Sequence, residues 1–284
     1  MRTLFKTLLA AFVVVTMVAI AGCDKDDINT SNNSGNGTEN PIPQPTPNPG
    51  QDTTLPGPNP GQDTTQPGPN PGQDTTQPGP NPPQPQGMWV DLGLPSGLLW
   101  ASYNLGATAP EEYGGYFAWG ETTTKSDYGW STYAYCTVDG DGVVDTLTKY
   151  NTVTEYGTVD NLTTLQPGDD AATAILGNGA RTPTKDDWQE LIANTTPEWT
   201  TLNGVNGRRF TASNGNSLFL PAAGSRSSSG LLRAGTVGAY WSASLNTEYP
   251  TGAWRCYFSV VDQGISPNYR YYGFSVRAVR APQN

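Results

Sequence analysis

An α+β fold is predicted for residues 88–284, with short antiparallel strands and about two helices. Three observations support it. Tryptophan, tyrosine, glycine and alternating apolar residues set in at Met88. Strand-like segments outnumber helix-like ones, and the helix-like ones are grouped mid-chain, an order that disfavours a parallel sheet with crossover helices. Roughly 200 residues are enough to bury one core. Strands are read at residues 89–92, 98–103, 116–119, 208–212, 217–220, 240–242, 253–260 and 274–279, separated by glycine and asparagine turns. The first helix falls at 169–176, where Asp169 or Asp170 caps a run holding Ala171, Ala172, Ile175 and Leu176. The second opens at Thr184. There Asp187 completes a capping-box-like start, Trp188, Leu191 and Ile192 share one face, and the stop falls near Asn194.

Ahead of this domain the chain reads as export machinery. Arg2 and Lys6 precede an apolar run over residues 7–21 that is too short for a comfortable membrane span. Ile20-Ala21-Gly22-Cys23 resembles the lipobox of bacterial lipoproteins. Residues 1–22 are therefore expected to be a cleaved signal and Cys23 the lipidated first residue of the mature chain. Asp24-Lys25-Asp26-Asp27 is similar to the surface-export signal of Bacteroidetes lipoproteins, which implies an outer-membrane lipoprotein facing outward. A polar tether on the periplasmic side is the alternative.

Residues 23–87 are expected to form a disordered, proline- and glycine-rich stalk, since they hold too few apolar groups to offset chain ordering. An 11-residue unit recurs at 47–57, 58–68 and 69–79, reading Pro-Asn-Pro-Gly-Gln-Asp-Thr-Thr-Leu/Gln-Pro-Gly. Its prolines favour a semi-extended spacer. Each copy carries Asp-Thr-Thr, which resembles an O-glycosylation acceptor of Bacteroidetes. Thr53, Thr64 and Thr75 are the candidate acceptors, with plain repeat copying as the alternative.

Composition removes several function classes. The chain has 15 basic and 25 acidic residues, a net charge of −10; loss of Arg2 and Lys6 with the signal lowers it to −12. Nucleic acid and anionic headgroups are disfavoured partners, because both need clustered Lys and Arg. Histidine is absent, which removes Ser-His and Cys-His dyads and the commonest metal ligand. Beyond Cys23, the remaining thiols Cys136 and Cys256 are a candidate disulfide if their Cα atoms lie within reach. The alternative is two separate buried thiols, since Trp254, Cys256, Phe258 and Val260 alternate along one predicted strand.

Ordered motifs across the domain resemble the FISUMP family, the Fibrobacter succinogenes major paralogous domain. They include Val90-Asp91-Leu92-Gly93-Leu94-Pro95-Ser96-Gly97 with Trp100-Ala101, Asn104-Leu105-Gly106-Ala107-Thr108, and Tyr116-Phe117-Ala118-Trp119-Gly120-Glu121. Further on stand Arg181-Thr182-Pro183-Thr184, Phe219-Leu220-Pro221-Ala222-Ala223-Gly224, Tyr240-Trp241-Ser242 and Gly273-Phe274-Ser275-Val276-Arg277. Thr182 departs from the methionine usual in the family. The resemblance implies an irregular fold similar to C-type lectin-like domains and the formylglycine-generating enzyme. It implies no established activity.

Candidate sites follow from side-chain chemistry. Flat rings beside carboxylates suit carbohydrate, since rings stack on sugar faces and acids take the hydroxyls. Trp119, Glu121, Trp130, Tyr133, Trp241 and Arg277 are the candidate ligand contacts, although Trp119 and Trp241 also suit the core. Arg181 and Arg277 are alternatively read as ion-pair partners of Asp170 or Glu121. Trp130 and Tyr269, Tyr271 and Tyr272 read as loop residues, where binding usually sits. Asp139, Asp141 and Asp145 are a partial Ca²⁺-loop pattern that lacks acids at Val143 and Tyr150; a polar hairpin turn is the preferred reading. No cofactor is otherwise implied. The expectation is a non-catalytic, adhesin-like module, anchored in the membrane by lipid, that binds a glycan or a host or envelope protein. The alternatives are an envelope or fimbrial assembly subunit and, more remotely, a carbohydrate-active enzyme using Glu111, Glu112 or Glu121.

Overall fold

The computed structural model describes residues 88–228 and 230–283, all within one unit, Asp74–Asn284. The signal, Cys23, the stalk, Thr53, Thr64 and Thr75 lie outside the described residues.

Local sequence sets both helices. Helix α1 (Ala171–Leu176) starts where the Asp170 carboxylate accepts the Ala172 N–H, and it ends at Gly177. The same carboxylate accepts the N–H and hydroxyl of Thr182, at 2.8 and 2.6 Å, so the threonine there binds the cap. Helix α2 (Lys185–Ala193) carries the full capping box between Thr184 and Asp187 and stops at Asn194. Arg181 pairs with Asp187 at 2.6 Å, not with the expected Asp170 or Glu121. Burial pushes the Asp187 carboxyl up, but hydrogen bonds from Arg181 and from Thr184 outweigh it and hold the group below its ordinary value. That stabilisation is present above the unfolded carboxyl value and is lost as pH falls through the lowered folded one. Asp187→Asn should cost about 1 kcal/mol at neutral pH. The gap from wild type should close on acidification below about pH 4 in urea melts; a gap constant with pH would refute the role.

Strands dominate, and this overturns the α+β class. β1 (Trp89–Asp91), β2 (Leu99–Ala101) and β13 (Val279–Arg280) form one sheet, which ties the two ends of the domain together. β3 (Cys136–Val138) and β4 (Val144–Leu147) form a hairpin, as do β8 (Ser225–Ser227) and β9 (Gly230–Leu232). β5 (Thr195–Leu202), β6 (Val205–Ala212) and β7 (Ser217–Pro221) make a third antiparallel sheet; β10 (Gly238–Leu245), β11 (Gly252–Phe258) and β12 (Gln263–Tyr269) make another. The described residues thus hold five small sheets and two helices of 6 and 9 residues. The helices cap and cover the strands and form no layer of their own. Of the segments read as strands at 116–119 and 274–279, the first and all but Val279 of the second are joined instead by single bridges such as Phe117 to Phe274. No helix among the described residues is long and apolar enough to cross a membrane.

β10 organises the interior because it is buried on both faces. Tyr240 points into a core with Trp100, Trp188, Phe210, Leu220 and Phe258. Its neighbour Trp241 points into a second core with Trp119, Tyr150, Leu245 and Phe274. The alternation of side chains along a strand therefore places two cores back to back. A third, tyrosine-rich cluster of Tyr116, Tyr128 and Tyr133 is flanked by Trp130, Tyr135, Cys136 and Tyr271, and it leads to the surface.

Candidate functional site

The surface beyond that third cluster is aromatic. Trp130 opens a one-turn 3-10 segment, Trp130–Thr132, tied down where the Thr132 hydroxyl donates to the Asp127 carbonyl at 2.9 Å. Its ring meets Tyr271 and Tyr269 edge-on, at centroid distances of 4.9 and 5.9 Å. Tyr269, Tyr271, Tyr272 and Phe274 form a ladder of near-parallel rings, 5.7, 4.6 and 5.8 Å apart in turn, running from the exposed Tyr269 to the buried Phe274. Tyr249 is 45% exposed, on the loop that returns to Gly252, and Gly252 pairs with Tyr269. Tyr156 ends the 3-10 segment Thr154–Tyr156. Its phenol is pushed up by partial burial first, then by the neighbouring phenols of Tyr269 and Tyr249 and the Glu155 carboxylate.

Arg270 holds this face from beneath and is fully buried. Its guanidinium donates to the Tyr133 hydroxyl at 2.8 Å and to the carbonyls of Tyr150, Pro250 and Lys149 at 3.1, 2.9 and 3.0 Å. It also lies over the rings of Trp119 and Tyr133, at 5.0 and 5.2 Å. One side chain thus fixes the loops carrying Tyr249 and Tyr150 to the strand end that carries Tyr269 and Tyr271.

The structure redistributes the residues singled out from sequence. Trp130 stands on the aromatic face, half-buried. Trp119, Tyr133, Trp241 and Arg277 are buried and cannot contact an external ligand. The Trp119 and Trp241 indoles donate inward to the carbonyls of Ser242 and Phe117, at 2.7 and 2.8 Å, and Tyr133 donates to the Trp119 carbonyl at 2.7 Å. Arg277 meets no carboxylate among the described residues. It donates to Asn104 and to the carbonyls of Ala101 and Phe219, and burial lowers its pKa to about 10. Sequence reading missed Tyr156, Tyr249 and Arg270. The pairs Glu155-Tyr156 and Glu248-Tyr249 in short polar segments were the available signal for the two tyrosines.

Glu121 is half-buried and accepts the Lys125 ammonium and the Ala134 N–H, both at 2.9 Å. Asp169 accepts Lys149 and the hydroxyls of Tyr135 and Tyr150. Burial raises the Asp169 carboxyl, and these three donors outweigh it and hold the group low. Both acids line one gap of about 10 Å³, at the lower limit for a single water. Glu111 accepts from Asn203, and Glu112 from Thr108, so these carboxylates serve separate local contacts. A larger groove of about 230 Å³, bordered by Val90, Pro110, Arg209 and Phe219, includes none of the candidate contacts.

The Asp139 carboxylate accepts the N–H groups of Asp141 and Val143, both at 3.0 Å, and so closes the β3–β4 hairpin. Asp145 lies within β4. Among the described residues no group of three or more acid or thiol side chains is placed to hold an ion.

Cys136 and Cys256 are free thiols in different clusters, which corrects the disulfide reading. Cys136 donates to the Trp130 carbonyl at 3.4 Å. Burial pushes the Cys256 thiol up to about 12. Alkylation of the folded protein should therefore spare Cys256 and modify Cys136 slowly, with both labelled in denaturant. Peptide mass mapping checks this; rapid native labelling of Cys256 would contradict its burial.

No family model, curated protein or solved structure matches this chain.

Proposed function

We propose that the domain is a non-catalytic recognition module that stacks carbohydrate on the face formed by Trp130, Tyr269, Tyr271 and Tyr249. It is displayed outside the cell on a lipidated Cys23 and the proline-rich stalk. The observation that carries this reading is the joined set of partly exposed rings of Trp130, Tyr269 and Tyr271, with the exposed Tyr249 on a loop that the buried Arg270 binds at Pro250. Rings fixed before binding lose little side-chain freedom when a sugar stacks on them. Binding is favoured over hydrolysis because Glu121 and Asp169 are occupied by lysine, tyrosine and backbone donors beside a gap too small for a sugar. The motifs that resemble the FISUMP family contribute interior residues such as Trp100, Trp241 and Arg277, so they bear on architecture rather than ligand.

A glycan array probed with the mature protein tests this. A bound glycan should be lost by at least about tenfold in Trp130→Ala, roughly 1.4 kcal/mol, with the fold intact by circular dichroism. A silent array, with envelope proteins copurifying, would instead favour an assembly subunit.

A further inference from the structure

From the groups surrounding the aromatic face, we infer that its ligand is an uncharged glycan, and that uronate, sialylated and sulfated chains are selected against. This inference rests on the carbohydrate reading above and adds the charge class of the sugar.

Four observations carry it. First, Glu155 and Glu248, both exposed, sit next in sequence to Tyr156 and to the face residue Tyr249. Second, the nearby lysines are already spent: Lys125 pairs with Glu121 at 2.9 Å, and Lys149 with Asp169 at 2.5 Å. Third, Arg270 is sealed beneath the rings at 0% exposure, with its donors given to carbonyls and to Tyr133. Fourth, Arg255 lies 5.2 Å over the ring of Phe274, at the inner, buried end of the ladder. The exposed charges next in sequence to Tyr156 and Tyr249 are thus both negative, on a chain of net charge −10.

Carboxylates at the edge of an aromatic platform accept hydrogen bonds from neutral sugar hydroxyls. The same groups repel a carboxylated or sulfated chain, in contact and during approach. For a ligand charge at an assumed separation of about 7 Å, two carboxylates in high dielectric favour the uncharged chain by about fivefold at low salt.

The test is an array of paired chains that share a backbone: galactan with galacturonan, mannan with mannuronan, and galactan with its sulfated form. It is read with the mature wild type, Trp130→Ala and the double variant Glu155→Gln/Glu248→Gln. The expected result is binding to a neutral member, at least fivefold over its acidic partner in 20 mM salt. The preference should shrink in the double variant, and binding should be lost in Trp130→Ala. Equal or stronger binding of the acidic member, still dependent on Trp130, would overturn the charge class and leave the carbohydrate reading standing. Binding to none of the chains, or binding indifferent to Trp130→Ala, would overturn the carbohydrate reading and this inference with it.

Discussion

Arg270→Met is expected to destabilise the domain by about 3–5 kcal/mol, more than any surface substitution on the aromatic face. The substitution leaves the carbonyls of Lys149, Tyr150 and Pro250 and the Tyr133 hydroxyl in the interior without their donor. Each buried acceptor stripped of its partner costs about 1–3 kcal/mol, and methionine packing recovers only part of the total. Replacing a whole buried ion pair by apolar groups can be neutral, but that precedent does not apply here. Three of the four acceptors are backbone carbonyls, which no substitution removes. Arg270→Lys should rescue little, because one ammonium cannot span acceptors that a planar fork reaches from three nitrogens. For a domain of this size the loss corresponds to a fall in Tm of roughly 10 °C. Urea melts of wild type and both variants decide the matter. A change under 1 kcal/mol in Arg270→Met would mean that water or a moved side chain replaces the guanidinium, and that the aromatic face does not depend on it.

What the sequence made legible divides along physical lines. Both helices were readable because caps are local: Asp170 and Thr184 act on backbone groups within three residues. Strands with alternating apolar residues were readable for the same reason. β5 and β12 were not, and each contains a proline, Pro197 and Pro267, which argues against a strand when the partner is unknown. Both turn out to be edge strands, where a missing N–H is tolerated. These hidden polar strands are why the strand share was underrated and the class misread. At the candidate site Trp130 was legible as a loop aromatic. Trp119 and Trp241 were ambiguous, since a motif tryptophan looks the same in a core and on a platform. Arg270 and Arg277 were the least legible. Sequence suggests carboxylate partners for an arginine, whereas these two are satisfied by carbonyls up to 176 residues away.

Gly224→Ala should be nearly as damaging, at about 3 kcal/mol or more, and it explains why the Pro221-Ala222-Ala223-Gly224 segment ends as it does. Gly224 has φ +70, a conformation that costs an alanine about 1–2 kcal/mol. An added Cβ would also lie 2.1 Å from the Leu232 carbonyl oxygen and 2.7 Å from the Ala234 nitrogen. Both are backbone atoms of β9 and the turn after it, so relief requires moving the hairpin rather than turning a side chain, and overpacking of this kind costs a further 1–3 kcal/mol or so. Movement there would propagate, because the Gly224 N–H donates to the Val237 carbonyl at 2.7 Å and the adjacent Ala223 carbonyl accepts the buried Tyr116 hydroxyl at 2.6 Å. Gly215→Ala separates the two contributions. Gly215 has φ +87 with open space around its Cβ position, so it should show the backbone cost alone, about 1 kcal/mol. Urea midpoints for the two variants should differ by at least 1.5 kcal/mol or so once converted. Equal losses would mean that the hairpin yields without cost, and that the close approach at Gly224 does not constrain this part of the domain.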